Sequence, residues 1–172
     1  MASSSSSTGA LSQCERLPDE LLLRVLGHAM LRWHTYAGSL KSWCWAVRGV
    51  SRRWRALHDG ACQSLRVLDG VTDEGMHALC ARLPSLTFLE LENGITSLTE
   101  DGLRAVGGLT MLTELYLTEC PGVTDLVLQK LRHCTALTRL SLEHCTNVTD
   151  VGVRELRGLT AITHLYLTEC FQ

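Results

Sequence analysis

The sequence GLTMLTELYLTEC at residues 108–120 returns as GLTAITHLYLTEC at residues 158–170, with ten of the thirteen positions identical. A weaker copy, CTALTRLSLEHC, lies between them at residues 134–145, so the period is 25 residues. Each copy repeats three apolar positions and one cysteine: Leu112, Leu137 and Ile162; Leu115, Leu140 and Leu165; Leu117, Leu142 and Leu167; Cys120, Cys145 and Cys170. A fixed period of this length is typical of an array of stacked, equivalent units.

Each unit predicts one short strand followed by one helix. Leu115 and Leu117 alternate with Tyr116, so the two leucines are expected to face a core. The following cysteine is expected to pack as a small apolar group where the chain turns away from the strand. The tripeptide Val-Thr-Asp at residues 123–125 and again at residues 148–150 predicts a helix start, capped by a side-chain oxygen.

The pattern extends upstream of residue 108. A further strand and turn are predicted at Leu86, Leu89, Leu91 and Gly94. VTDEGM at residues 71–76 repeats the helix start, and residues 65–67 predict the strand before it. We therefore predict one degenerate first unit, three complete units and a last strand at residues 165–167. That strand is expected to be an open edge, belonging to a truncated array or covered by a partner.

The spacing L-x-x-L-x-L-x-x-C resembles the cysteine-containing leucine-rich repeats found in many F-box proteins. The resemblance covers the chain from about residue 65 onward. It implies an α/β solenoid, with parallel strands on a concave side and helices on a convex side. A solenoid of this kind binds partners along its concave surface.

Composition argues against several classes of function. The chain has 172 residues and a formal net charge of −2, so we expect no nucleic-acid or membrane partner. No apolar run approaches the roughly 18 residues of a membrane span. Eight cysteines are present, but Cys120, Cys134, Cys145 and Cys170 lie in or beside repeat positions. We expect reduced thiols in a cytoplasmic or nuclear protein rather than a secreted disulfide scaffold.

The region before the repeats predicts a tail and two helices. Residues 1–16 are Ser-rich and are expected to be disordered; a transit peptide is the disfavoured alternative, because no arginine precedes Arg16. LPDELL at residues 17–22 places proline and two acids in a first helical turn. A second helix is predicted over about residues 42–58, with Asp59 and Gly60 ending it.

This pair of helices resembles an F-box. LPDELL at residues 17–22 matches the opening LPxEL helix of that family, and VSRRW at residues 50–54 matches its closing V-(C/S)-x-x-W segment. The stretch between them departs from the family, because residues 27–41 are about ten residues longer than usual. This insertion is either a lengthened first helix or a loop.

An F-box followed by such repeats resembles the substrate receptors of Skp–cullin–F-box ubiquitin ligases. The resemblance implies an F-box at residues 17–60, which docks on a Skp-family adaptor and through it on cullin. Repeats at residues 61–172 would hold a target protein for ubiquitination and proteasomal degradation. Such a receptor is not an enzyme and uses no cofactor; it raises the local concentration of its target. The residues implied to contact the adaptor are Leu17, Pro18, Leu21, Leu22, Val25, Val50 and Trp54. Alternatively, they form the core of a small helical cap on the array.

The strand residues that do not face the core are expected to line the concave, target-binding surface. They are Phe88, Glu90 and Glu92; Glu114, Tyr116 and Thr118; Arg139, Ser141 and Glu143; His164, Tyr166 and Thr168. Tyr and Arg are favoured interface anchors, although an exposed strand Tyr is also simply a good strand former.

Catalytic and metal chemistry find little support in the sequence. His133-Cys134 and His144-Cys145 lack the C-x-x-C spacing of zinc sites, and no cysteine stands out from its repeat neighbours as a nucleophile. No phosphate-binding glycine loop is present. Three classes remain: a ligase receptor, a repeat-only interaction protein or inhibitor, and an enzyme, which would need a cysteine of lowered pKa.

Overall fold

The computed structural model describes residues 52–67, 71–91 and 95–170, and the chain divides into two units after Ala61. The described part of the first unit is helix α1, Arg52–Ala61. The prediction that Asp59 and Gly60 end this helix is wrong, because the helix continues through Ala61. Gly60 lacks the left-handed backbone of a glycine cap, so it does not stop the helix. The predicted start of this helix, and the whole of the predicted first helix, lie outside the described residues.

The second unit is a five-stranded parallel sheet whose strands follow one another in chain order. The strands are β1 Ser64–Val67, β2 Phe88–Leu91, β3 Glu114–Tyr116, β4 Arg139–Ser141 and β5 His164–Tyr166. Equivalent repeat positions pair directly: Leu65 with Leu89, Leu89 with Leu115, Leu115 with Leu140, and Leu140 with Leu165. The predicted α/β solenoid architecture of parallel strands with intervening helices is therefore confirmed.

Each strand except β5 is followed by a helix. The helices are α2 Asp73–Arg82, α3 Glu100–Arg104, α4 Asp125–Leu131 and α5 Asp150–Glu155. Short 3₁₀ turns extend α3 over Ala105–Gly108 and α5 over Leu156–Gly158. These helices are too short to be stable alone, so packing on their neighbours holds them.

The repeated apolar positions form one continuous core. Leu89, Leu115 and Leu140 are buried in successive strands, and Leu103 and Leu128 are buried in helices α3 and α4. The repeat cysteines Cys120, Cys145 and Cys170 are also buried, as predicted. The Cys145 thiol donates to the Leu117 carbonyl oxygen at 2.9 Å, and the Cys170 thiol donates to Leu142 at 2.8 Å. Cys145 and Cys170 therefore join their turns to the preceding repeat, whereas the Cys120 thiol donates to Thr118 of its own turn at 3.5 Å.

Threonine precedes each of these four helices, but not all four threonines act alike. Thr72, Thr99 and Thr149 accept hydrogen bonds from the first helical turn through their side-chain oxygens, each at 3.2 Å. Thr124 makes no such bond, so its predicted capping role is wrong. Its hydroxyl instead donates to the Glu100 carboxylate of the preceding repeat at 2.6 Å.

Candidate interaction surface

Eight of the predicted target-binding residues lie on the strands, in rows that run across the sheet, while Thr118, Glu143 and Thr168 lie just after strands β3, β4 and β5. Strand pairing places Phe88, Glu114, Arg139 and His164 in one row, and Glu90, Tyr116, Ser141 and Tyr166 in the next. Their side chains alternate with the buried leucines, so we call this surface the outer face of the sheet. Glu92 lies outside the described residues.

Ion pairs between neighbouring strands neutralise part of the outer face. Arg66 contacts Glu90 at 2.8 Å, and Arg139 contacts Glu114 at 3.2 Å. The pKa of the Arg139 guanidinium is raised by the charge of Glu114 and by the hydrogen bond to it. Both arginines are about half-exposed, so these pairs fix side-chain positions more than they stabilise the fold.

Two aromatic contacts lie on the same face. The rings of Phe88 and Tyr116 are 5.6 Å apart, and the Tyr116 hydroxyl donates to Glu114 at 3.1 Å. Burial, followed by this bond to Glu114, raises the pKa of the Tyr116 phenol. His164 and Tyr166 stack at 6.4 Å, and Tyr166 is 41% exposed. Tyr116 is therefore held in place, whereas Tyr166 presents more of its ring to solvent.

Ser141 departs from the predicted surface. It is only 2% exposed, so its hydroxyl is not available to a target. The Ser141 hydroxyl oxygen lies 3.4 Å from the Thr118 hydroxyl oxygen. The Ser141 hydroxyl donates a hydrogen bond to the Glu143 carboxylate at 3.5 Å. Glu143 also accepts from Thr168 at 3.3 Å. Hydroxyl groups of two neighbouring repeats thus donate to the Glu143 carboxylate.

The residue before each repeat cysteine adopts a left-handed backbone, which the sequence reasoning missed. Glu119, His144 and Glu169 have φ values of 57°, 60° and 54°. This geometry lets the Glu119 and His144 amides donate to the next repeat, at 2.9 and 2.8 Å. The signal was present upstream, where Asn93-Gly94 occupies the same repeat position with residue types that favour this conformation.

Most of the residues implied to contact the adaptor cannot be placed. Leu17, Pro18, Leu21, Leu22, Val25 and Val50 lie outside the described residues. Trp54 lies within α1, in agreement with a helical closing segment. Their roles remain predictions.

The thiols of the repeats are poorly suited to nucleophilic chemistry. Burial raises the pKa of Cys80, Cys120 and Cys134 to about 11 and that of Cys145 to about 12. A nucleophilic cysteine needs a lowered pKa, so none of these four fits that role. Over the described ranges, no three His, Cys, Asp or Glu side chains converge on a point where an ion could bind. The helices of those same ranges are all too short or too polar to span a bilayer.

The repeat is defined by three features: parallel units of one strand and one helix, rows of buried leucines, and turns that contain a cysteine. A family model described as "Leucine Rich repeat" matches residues 133–156, the segment from the end of α4 to the end of α5. Residues 133–156 are therefore similar to a leucine-rich repeat. No curated protein matches the sequence.

An internalin (InlF) from Listeria monocytogenes aligns with a TM-score of 0.41 and 20% identity. The alignment covers 67% of this chain and 37% of the internalin. Leucine-rich repeats are generally non-catalytic protein-interaction modules.

Proposed function

We propose that this protein is the substrate-recognition subunit of a Skp–cullin–F-box ubiquitin ligase. The proposal rests on one sequence observation: LPDELL at residues 17–22 and VSRRW at residues 50–54 directly precede cysteine-type leucine-rich repeats. The F-box-like segment docks on the Skp-family adaptor, and the repeats hold a target protein. The subunit performs no bond chemistry, since its role is to raise the target concentration near the ubiquitin-charged enzyme.

The outer face is the proposed target site. Phe88 and Tyr116 form an aromatic anchor that Glu114 and Arg139 hold in position. His164 and Tyr166 form a second, more exposed anchor two strands away. Pre-ordered aromatic and arginine side chains are favoured in binding hot spots, because little side-chain entropy is lost when a partner binds.

Co-expression with the Skp adaptor followed by pull-down tests the proposal. Leu21→Ala combined with Pro18→Ala is expected to abolish adaptor capture. Removing one buried aliphatic contact costs about 2–5 kcal/mol, and each 1.4 kcal/mol weakens binding about tenfold. Tyr116→Ala is the matched control, because it lies on the repeats and should leave adaptor capture intact. Failure of the wild-type chain to bind the adaptor would overturn the receptor proposal and leave a repeat-only interaction protein.

A further inference from the structure

The last turns of three consecutive helices carry a row of basic side chains. Arg104 ends α3, Lys130 lies in the last turn of α4 and Arg132 directly follows that helix. Arg154 lies in the last turn of α5, and Arg157 lies in the 3₁₀ turn that follows. All five are exposed. We call these five residues the basic stripe.

The basic stripe is not neutralised within the repeats. Across residues 71–91 and 95–170, no carboxylate oxygen lies within the 4.0 Å ion-pair distance of a stripe side chain. Arg157 is partly held in place, because its Nε donates to the Arg154 carbonyl oxygen at 2.9 Å. Glu155 lies between the arginines in sequence and forms no ion pair. The helix dipole favours basic residues at helix C-termini. That preference explains their position, but it does not explain why five neighbouring basic side chains lack an acidic partner among the described residues.

The five side chains belong to one continuous surface. Helix α3 packs on α4, and α4 packs on α5. The strands are parallel, so the helices run in the same direction and their last turns share one edge. A Cβ atom at Gly107 would lie 2.7 Å from the Lys130 Cβ, which shows how closely the end of one repeat meets the next. At roughly 8–10 Å between packed helices, the stripe is about 16–20 Å long.

We propose that the basic stripe docks an acidic protein segment in extended conformation. An extended chain advances about 3.3 Å per residue, so five or six residues cover the stripe. The positive charge of the stripe attracts the carboxylates of acidic side chains. This site is separate from the outer face of the sheet, because it lies on the helices.

Two features favour an acidic peptide over nucleic acid. The first turns of the same helices carry Glu100, Asp101, Asp125 and Asp150, so a wide polyanion would meet like charges at the other end of each helix. Binding of single-stranded nucleic acid also relies on aromatic stacking. Within the described part of the repeats, the aromatic residues Phe88, Tyr116 and Tyr166 all lie on strands rather than beside the stripe.

Fluorescence anisotropy of the full chain with a labelled peptide tests the proposal. The probe is a run of six glutamates flanked by glycine and serine, titrated at low and at high salt. Arg132→Gln with Arg157→Gln should weaken binding roughly three- to thirtyfold, since each exposed charge contact contributes little alone. Wild-type binding should weaken as salt rises.

The control is matched in net charge. Leu126→Glu with Val151→Glu changes the net charge by the same −2, but at the first turns of α4 and α5, where both side chains are exposed. It should change affinity less than twofold. Thermal melting checks that each variant is folded; if the first variant melts early, Arg104→Gln with Arg154→Gln replaces it. Equal losses in the stripe and control variants, no binding by the wild type, or tighter binding of an oligothymidine of equal charge would overturn the proposal.

Discussion

Asp125 holds Thr149 of the next repeat by two hydrogen bonds. Its Oδ1 accepts from the Thr149 amide at 2.8 Å, and its Oδ2 accepts from the Thr149 hydroxyl at 2.6 Å. Asp125 is the first residue of α4, and Thr149 immediately precedes α5. One carboxylate therefore joins the starts of two consecutive helices.

The same arrangement occurs two repeats earlier, and it is altered in the pair that lies between them. Asp73 accepts from the Thr99 amide and hydroxyl at 2.9 and 2.6 Å. Glu100 takes the aspartate position in the intervening pair and reaches only the Thr124 hydroxyl. The residue three positions after the threonine changes as well. It is a glycine, Gly102 or Gly152, in the two pairs that contain an aspartate, and it is Val127 in the pair that contains the glutamate. Close approach of the aspartate therefore requires glycine.

Removing this carboxylate should loosen the contact between repeats. We expect Asp125→Ala to lower the free energy of unfolding by about 1 kcal/mol, near the lower end for a charged hydrogen bond, because solvent screens the pair. Asp150→Ala is the matched control, because Asp150 also begins a helix but accepts no hydrogen bond from another described repeat. Urea unfolding of both variants measures the difference. Equal losses of stability in the two variants would mean that Asp125 contributes only its favourable interaction with the helix dipole.

The two aspartates should also make stability depend on pH. Hydrogen bonds from Thr99 hold the pKa of Asp73 below its ordinary value of 3.8. Burial tends to raise the pKa of Asp125, but the bonds from Thr149 and Gly152 outweigh it and the net shift is downward. A lowered folded-state pKa stabilises the protein above the unfolded value, and this stability is lost as the pH falls through the folded value. Urea unfolding should therefore show the free energy of unfolding falling below about pH 4, with a shallower fall in Asp73→Asn combined with Asp125→Asn. Parallel curves for the two proteins would contradict this explanation.

Glycine at position 152 should be required for packing. A Cβ atom there would lie 3.0 Å from the Asp125 Cα and would overlap its carboxylate. Gly152→Ala is expected to cost about 1–3 kcal/mol, typical of overpacking. Gly158→Ala is the control: its Cβ would meet nothing within 4 Å, and its backbone is not left-handed. That change should be neutral or stabilise by about 0.4–1 kcal/mol. Thermal melting should therefore show a lower melting temperature for Gly152→Ala and an equal or higher one for Gly158→Ala.

The repeat core could be predicted well from the sequence, because the same residue type recurs at each core position in several repeats. Leu115, Leu140 and the repeat cysteines occupy the same place in successive units, so one period determines strand, turn and helix. The Asp125–Thr149 contact was missed because the two residues were assigned only local capping roles. Each residue has its hydrogen-bond partner in the neighbouring repeat. The spacing of residues within one repeat does not indicate which residues of two repeats come into contact.

The candidate surface was predicted less completely. Alternation along a strand correctly placed Tyr116 and Tyr166 in one row with Ser141. It could not show that Ser141 is covered, because burial on this face depends on how side chains of neighbouring strands lean. Nor did it predict the pairing of Arg139 with Glu114, which depends on rotamers rather than on period.

The buried cysteines should resist thiol reagents in the folded protein. The Cys145 thiol is buried and hydrogen-bonded to Leu117, with its pKa raised to about 12, so almost no thiolate exists near pH 8. Site-resolved mass spectrometry after iodoacetamide treatment should find Cys145 unmodified until denaturant is added. Modification of Cys145 under native conditions, at the rate of a free thiol, would show that the turn opens readily.

An interior position and an end position of the leucine row should respond differently to the same substitution. Leu140 is 0% exposed, whereas Leu165 is 39% exposed. Leu140 pairs with Leu115 on one side and Leu165 on the other, while β5 pairs only with β4 among the described strands. We expect Leu140→Ala to cost about 2–5 kcal/mol and Leu165→Ala less than about 1.5 kcal/mol, because truncation of an already exposed side chain leaves little cavity. Urea unfolding at several protein concentrations measures both. Similar costs, together with stability that rises with concentration, would show that another molecule covers Leu165 in solution.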